Sequence, residues 1–241
     1  MLPVAILAGG LATRLGPMTD RLPKALLSIA GQPFIVHQLR LLKDQGIDRV
    51  VLCVGHLGEQ VEALVGDGRD LGLLIRYSFD GIELLGTGGA IKKALPLLGD
   101  DFFVLYGDSY LPCSFARVQS AYESARRPAL MTVLRNDRRW DKSNILFKNG
   151  ELIEYDKKST RLDMSHIDFG LSVLSKHVLS RYRESTAIDL ADIYRELSKA
   201  GRVAAVEVSE RFYEIGSPQG ILDTEEFLAH QEFPSRRSIN E

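Results

Sequence analysis

The chain is poor in the residues that staple small domains or hold structural metals. It has only 2 cysteines in 241 residues, Cys53 and Cys113, too few for a disulfide framework and not spaced as a zinc motif. Its 5 histidines fall at positions 37, 56, 166, 177 and 230, with no i, i+4 pair, so a structural metal is not expected. An excess of one charge is also missing. With 30 Lys+Arg against 32 Asp+Glu the net charge is −2, which removes the case for nucleic-acid binding through a general basic surface but leaves a local cationic pocket open. Long apolar runs are absent too. The opening MLPVAILAGG has a short apolar stretch with no basic leader, and it runs into glycines. It reads as neither a signal peptide nor a membrane span, so a cytoplasmic protein with free thiols is expected.

What is present is ordinary for a globular chain, 45% hydrophobic and 26% charged, and long enough to bury a sizeable core. No linker, repeat or low-complexity segment interrupts it. One domain over residues 1–230 is expected, with a polar tail at 231–241. Val4-Ala5-Ile6-Leu7, stopped by Gly9-Gly10, looks like a strand buried on both faces. Pro33 to Gln45 reads as a helix with Ile35, Leu39 and Leu42 on one side and Gly46 as its stop. Strands are expected at Arg49–Val54, Leu73–Tyr77, Phe102–Tyr106 and Leu130–Arg135, with helices at Gly58–Val65, Gly88–Leu98 and Phe115–Ala125 between them. Such β-α repetition predicts an α/β fold, an open and mostly parallel sheet with helices on both faces. From Ile145 to Val173 the expected strands are short and come with turn residues, which reads as β-hairpin insertions or edge strands. A helix at Ile188–Ala200, short strands at Val203–Val208 and Phe212–Ile215, and a last helix opened by Ser217-Pro218 complete the chain.

Ligands in open α/β sheets sit outside the carboxyl ends of the strands. The first such loop is Ala8-Gly9-Gly10-Leu11-Ala12-Thr13-Arg14-Leu15-Gly16-Pro17. Its glycines let main chain approach a ligand, Thr13 adds a hydroxyl and Arg14 a planar cation suited to phosphate. Neither a Walker A loop nor the dinucleotide fingerprint is present, which disfavours a nicotinamide-dependent oxidoreductase. On residues alone the loop is also readable as a plain strand-to-helix turn. Pro17 and Pro23 prevent one regular helix over residues 14–24, and Lys24 can fold back over the same place.

The run Leu7 to Leu15, followed by Pro17, Thr19 and Pro23-Lys24, resembles the signature of the sugar-1-phosphate nucleotidyltransferases. It departs at Ala12, where the family has glycine. The resemblance implies a Rossmann-like fold of the nucleotide-diphospho-sugar transferase type. It also implies a reaction in which a nucleoside triphosphate (NTP) and a sugar 1-phosphate give an NDP-sugar and pyrophosphate. It assigns triphosphate binding to Ala8, Gly9, Gly10 and Thr13, with Arg14 and Lys24 on the phosphates. Leu85-Gly86-Thr87-Gly88-Gly89-Ala90 resembles the loop that holds base and ribose, giving Gly86, Thr87 and Gly88. Tyr106-Gly107-Asp108 ends a buried strand, and its aspartate would hold Mg²⁺. Tyr213-Glu214-Ile215-Gly216-Ser217-Pro218 resembles the late segment with the second metal ligand, here Glu214 where the family has aspartate. On the acceptor side the resemblance points to Lys158 and Asp156, with Glu154 as another candidate, and to Asp168 and Gly170, Asp168 standing for an asparagine. Trp140-Asp141-Lys142-Ser143-Asn144 replaces a further contact segment. Bland readings stand beside these: a turn aspartate at 108, a solvated charge run at 156–158, a solvent-facing polar residue at 168. No β-helical second domain is expected.

A heptose- or mannose-type 1-phosphate guanylyltransferase is the first functional expectation. N-acetylmuramate 1-phosphate uridylyl transfer, phosphocholine-type cytidylyl transfer and a non-catalytic nucleotide-sugar-binding regulator are the alternatives. The expected partners are an NTP and a sugar 1-phosphate, with no nucleic acid and no membrane. A phosphate monoester with a second pKa near 6 is already ionised at neutral pH, so positioned cations matter more than a general base.

Overall fold

The structure is a computed structural model that describes residues 1–10, 16, 21–81, 85–137, 139–140, 142–159, 161–183 and 187–232. In chain order the first half runs β1 (Val4–Leu7), β2 (Ser28–Ile29), β3 (Gln32–Pro33), α1 (Phe34–Asp44), β4 (Arg49–Val54), α2 (Gly58–Val65), β5 (Leu74–Phe79), α3 (Gly86–Ala94), β6 (Asp101–Tyr106) and β7 (Ser109–Tyr110). The second half runs α4 (Phe115–Ala125), β8 (Ala129–Arg135), β9 (Ile145–Lys148), β10 (Glu151–Tyr155), β11 (His166–Ser175), α5 (Leu190–Lys199), β12 (Val203–Val208), β13 (Tyr213–Glu214) and α6 (Pro218–Glu232).

Alternation sets the layers. Val4 and Ile6 of β1, Val50, Leu52 and Val54 of β4, and Phe103 and Leu105 of β6 point to one face, where α1, α2 and α4 cover them. Ala5, Val51, Cys53, Phe102 and Val104 point to the other, against α3 and α5. Both faces are therefore apolar, which is why these strands read as continuous hydrophobic runs. The order through the main sheet is β10-β9-β11-β6-β1-β4-β5, with β8 pairing β11 and β12. The pairs β1–β4, β1–β6, β4–β5 and β8–β12 are parallel. The carboxyl ends of β1, β4, β5 and β6 thus share one edge.

One region departs from expectation. β9 and β10 form the expected hairpin at the sheet margin, but β11 runs through the interior, antiparallel to both β6 and β8. Polar residues punctuate it, and a bulge interrupts its ladder. The register shifts between Asp168 and Ser172, and Gly170 takes a φ of +102°, a conformation that glycine adopts without strain. A small third cluster, with Ile29, Phe34, Tyr110, Ile215 and Leu228, seats α6 and the short β7–β13 pair beside the sheet edge.

Candidate active site

The loops after β1, β5 and β6, with the first turn of α3, enclose a cavity of about 240 Å³. Ala8, Gly9, Gly10, Lys24, Gly86, Thr87, Gly107 and Asp108 all line it, together with Cys53, Asp80 and Tyr106. Thr13 and Arg14 lie outside the described residues.

Main chain makes one wall. Gly107 N–H donates to Leu7 O at 2.9 Å, and a Cβ on Gly107 would lie 2.8 Å from Leu7 O and 2.9 Å from Ala8 Cα. The ends of β1 and β6 therefore touch as bare backbone. The α3 entry is tied down instead by residues 188–190. Gly88 N–H donates to Ile188 O at 2.8 Å, and a Cβ on Gly86 would sit 2.7 Å from that same oxygen. Thr87 Oγ1 donates to Asp189 Oδ1 and accepts from Leu190 N–H. Gly86 and Thr87 face the cavity, while Gly88 is committed to this packing.

Charge converges at the other wall. Lys24 Nζ donates to Asp108 Oδ2 at 2.9 Å. β7 pairs with β13, setting Ser109 opposite Glu214, and Ile215 N–H donates to Asp108 O at 2.9 Å. Asp108 and Glu214, 106 positions apart in sequence, thereby meet around Gly216. A Cβ there would lie 2.7 Å from Glu214 Oε2, 3.2 Å from Lys24 Nζ and 3.4 Å from Asp108 Oδ2. Glu214 is oriented by Gly216 N–H, which donates to its Oε2, and by Ser217 Oγ, which donates to its Oε1 at 2.6 Å. Ser217 Oγ also accepts from Gly220 N–H at 3.0 Å, the helix-capping bond expected of it. Two hard carboxylates beside a space that no side chain fills suit Mg²⁺, which takes one or two carboxylates plus phosphate oxygens. Among the described residues no group of three or more His, Cys, Asp or Glu could hold a metal. The donor set therefore fits an ion that shares substrate oxygens rather than an all-protein cage.

Beyond Tyr106 the residues expected on the acceptor side separate. Asp168 is partly buried, and burial pushes its carboxyl above the usual range, against the lowering by Lys157 and by the Gly170 N–H that donates to Oδ1 at 2.9 Å. Gly170 packs beside Leu111 and Ser109, next to the Asp108 turn. Lys157, one residue before the expected lysine, places Nζ 5.7 Å from the centre of the Tyr106 ring. Lys158 is exposed and its backbone N–H donates to Asp156 Oδ1 at 2.8 Å, so Asp156 closes its own turn. Glu154 pairs with Arg161 at 2.7 Å. The Tyr155 hydroxyl is buried with no hydrogen-bond partner among the described residues. Trp140 and Phe212, ring centres 5.7 Å apart, line a separate cavity of about 180 Å³ on the other side of Glu214. Asp141 lies outside the described residues.

A model of the MobA-like NTP transferase domain matches residues 4–207. The chain belongs to that family. The chain is 27% identical over 222 residues to the mannose-1-phosphate guanylyltransferase catalytic subunit beta of Drosophila melanogaster, covering 90% of this chain and 60% of that protein. It is 40% identical over 121 residues to the N-acetylmuramate alpha-1-phosphate uridylyltransferase of Neisseria meningitidis serogroup B, covering 50% of this chain and 51% of that one. The chain thus matches no more than 60% of the length of either relative. HddC from Yersinia pseudotuberculosis complexed with GMP-PN shares its fold with a TM-score of 0.77 at 24% identity, over 95% of this chain and 100% of that one. A putative glucose-1-phosphate thymidylyltransferase from Bacillus anthracis does so with a TM-score of 0.82 at 22% identity, over 100% of this chain and 97% of that one. No helix among the described residues is long and apolar enough to cross a membrane.

Sequence reasoning missed two residues at this site. Asp80 follows β5 directly and lines the cavity; burial raises its carboxyl, against the Leu85 backbone N–H and Lys93. The strand-end rule that found Asp108 applies to it as well, but β5 extends to Phe79, two residues past the expected end at Tyr77. Gln38 is buried on α1, and its Nε2 donates to Tyr106 O at 3.0 Å and Ser109 O at 2.6 Å, pinning both ends of the turn that carries Asp108. Its signal was a polar residue on the helix face of Ile35, Leu39 and Leu42. Cys53 is inert here, because burial and Asp80 push its thiol up to about 12.

Proposed function

We propose that the chain transfers a nucleotidyl group from an NTP to a sugar 1-phosphate and releases pyrophosphate, most of all as a mannose- or heptose-type guanylyltransferase. The observation that carries this reading is the Lys24–Asp108 pair at 2.9 Å, set in the glycine-walled cavity with Glu214 on its flank. We assign Gly9, Gly10 and Gly107 to close main-chain approach of the triphosphate, Lys24 to the α-phosphate and Arg14 to the leaving pyrophosphate. Gly86 and Thr87 border the base and ribose. Asp80 offers carboxylate acceptors, which suits guanine with its exocyclic amino donor. Asp108 and Glu214 would hold Mg²⁺, whose charge, when bound, offsets repulsion between two polyanions. No side-chain base is required, because the attacking phosphate monoester is already ionised near neutral pH. The protein's task is to hold two anions in line, which is positioning and electrostatics. Lys157 and Asp168 flank the acceptor. In this reading residues 1–230 act as one domain of a cytoplasmic enzyme; the last helix, α6, runs on to Glu232 past the expected start of a tail at 231, and 233–241 lie outside the described residues.

The Neisseria relative supports a second arm, uridylyl transfer to N-acetylmuramate 1-phosphate. The test is pyrophosphate release with four NTPs and Mg²⁺ across a panel of sugar 1-phosphates and phosphocholine. Turnover with GTP and mannose or heptose 1-phosphate is expected. Nucleotide binding without turnover across the panel would replace the enzyme with a nucleotide-sugar-binding regulator.

A further inference from the structure

The ammonium of Lys24 already stands beside the carboxylates assigned to the metal. It donates to Asp108 Oδ2 at 2.9 Å, and its side chain is 15% exposed. The point 3.2 Å from its Nζ, where a Cβ of Gly216 would fall, is also 2.7 Å from Glu214 Oε2. Lys24 is thus the paired counter-ion of Asp108, with Glu214 on the other side of Gly216. Its main chain is held fast: Ala25 and Leu26 are buried, Leu26 N–H donates to Pro23 O at 2.8 Å, and Leu27 N–H donates to Lys24 O at 3.0 Å. Only the side chain is free to change partners.

A divalent ion arriving alone meets an ammonium in contact with the oxygen it would bind, and like charges at that distance in a half-buried pocket repel. A triphosphate entering the same cavity offers Lys24 a denser set of anionic oxygens. We infer that Lys24 is the resident counter-ion of Asp108 and releases it only to a triphosphate, so that the divalent metal binds together with the nucleotide and not ahead of it. This rests on the reading that Asp108 holds the metal. Nucleotide and metal would then favour each other's binding by the same factor, with Lys24 carrying much of the coupling.

The experiment titrates each folded protein with Mn²⁺ alone, without nucleotide, following free Mn²⁺ by electron paramagnetic resonance. Lys24→Met is expected to bind Mn²⁺ at least about tenfold more tightly than the wild type, about 1.4 kcal/mol. Lys24→Gln, which keeps a donor for Asp108 without the charge, should do the same and serves if the methionine variant does not fold. Adding Asp108→Asn to either should abolish the gain. Lysine variants no tighter than wild type would overturn the counter-ion role. A tight site that survives Asp108→Asn would overturn the metal assignment itself, and the inference with it.

Discussion

The wall of the cleft where β1 meets β6 is made of main chain, whereas the region around Asp168 is made of side chains from distant strands. At the first, Gly107 lies against Leu7 O and Ala8 Cα, and the elements involved are parallel strands whose ends coincide because the sheet aligns them. At the second, Asp168 and Gly170 come from the same bulged antiparallel strand, Lys157 from the turn after β10, and Tyr106 from β6. Backbone walls demand glycine at fixed spacing, so they leave a contiguous trace in sequence. Side-chain walls need only the right group at the right place, which many residues and registers can provide. On the proposed function, a site built this way keeps the phosphate-binding side rigid and leaves the acceptor's identity open to change.

Asp108→Asn gives the sharpest test of the backbone-walled side. It keeps size and an acceptor for Lys24 but removes a charge, and kcat for pyrophosphate release should fall by about 10²–10³, as when one preorganised electrostatic contact is lost. Unchanged circular dichroism and near-wild-type melting should accompany the loss. If turnover stays near wild type, Asp108 is only a turn residue. Gly107→Ala probes the wall itself. Its Cβ would press on backbone at 2.8 and 2.9 Å, so both strand ends must shift. A stability loss of about 1–3 kcal/mol in urea unfolding is expected, with weakened nucleotide affinity. A variant as stable as wild type would mean that the β1–β6 contact is looser than described.

The acceptor side is tested by two neighbouring lysines. Lys157→Met should raise the KM for the sugar phosphate about tenfold, the effect of losing one charge-assisted contact worth roughly 1.5 kcal/mol, while leaving the nucleotide Kd unchanged. Lys158→Met should stay within about twofold, since surface charges contribute little. The opposite ranking would restore Lys158, the residue that the family pattern selects.

That pair also marks where legibility ends. The strands β1, β4 and β6 and the helices α1, α2 and α4 were readable because period and burial agree in them. Lys24, Asp108 and the glycines were readable because their spacing is local. Which of Lys157 and Lys158 approaches Tyr106 was not, since a one-residue choice in a charged turn is set by tertiary geometry. β11 was read among short edge strands because turn residues precede it, while its place between β6 and β8 and its bulge at Gly170 are tertiary features. Gln38 was passed over on a helix otherwise legible, because the turn that it pins is 68 to 71 positions away.

Asp168→Asn should give the smallest effect and separates folding from function within the side-chain wall. Burial is the largest influence on Asp168 and raises its folded pKa above the unfolded value, with Lys157 and the Gly170 N–H opposing it. The native state therefore holds this proton more tightly than the unfolded state does. Stability contributed by Asp168 is present at low pH and is lost as pH rises through the folded pKa. Asparagine keeps an oxygen for the Gly170 N–H and carries no charge to desolvate. The variant should gain in Tm over wild type more at pH 7 than at pH 4, while its KM for the acceptor rises. An equal Tm difference at both pH values would mean that Lys157 fully compensates the buried charge, and that Asp168 is set by pairing rather than by its desolvation beside the cleft.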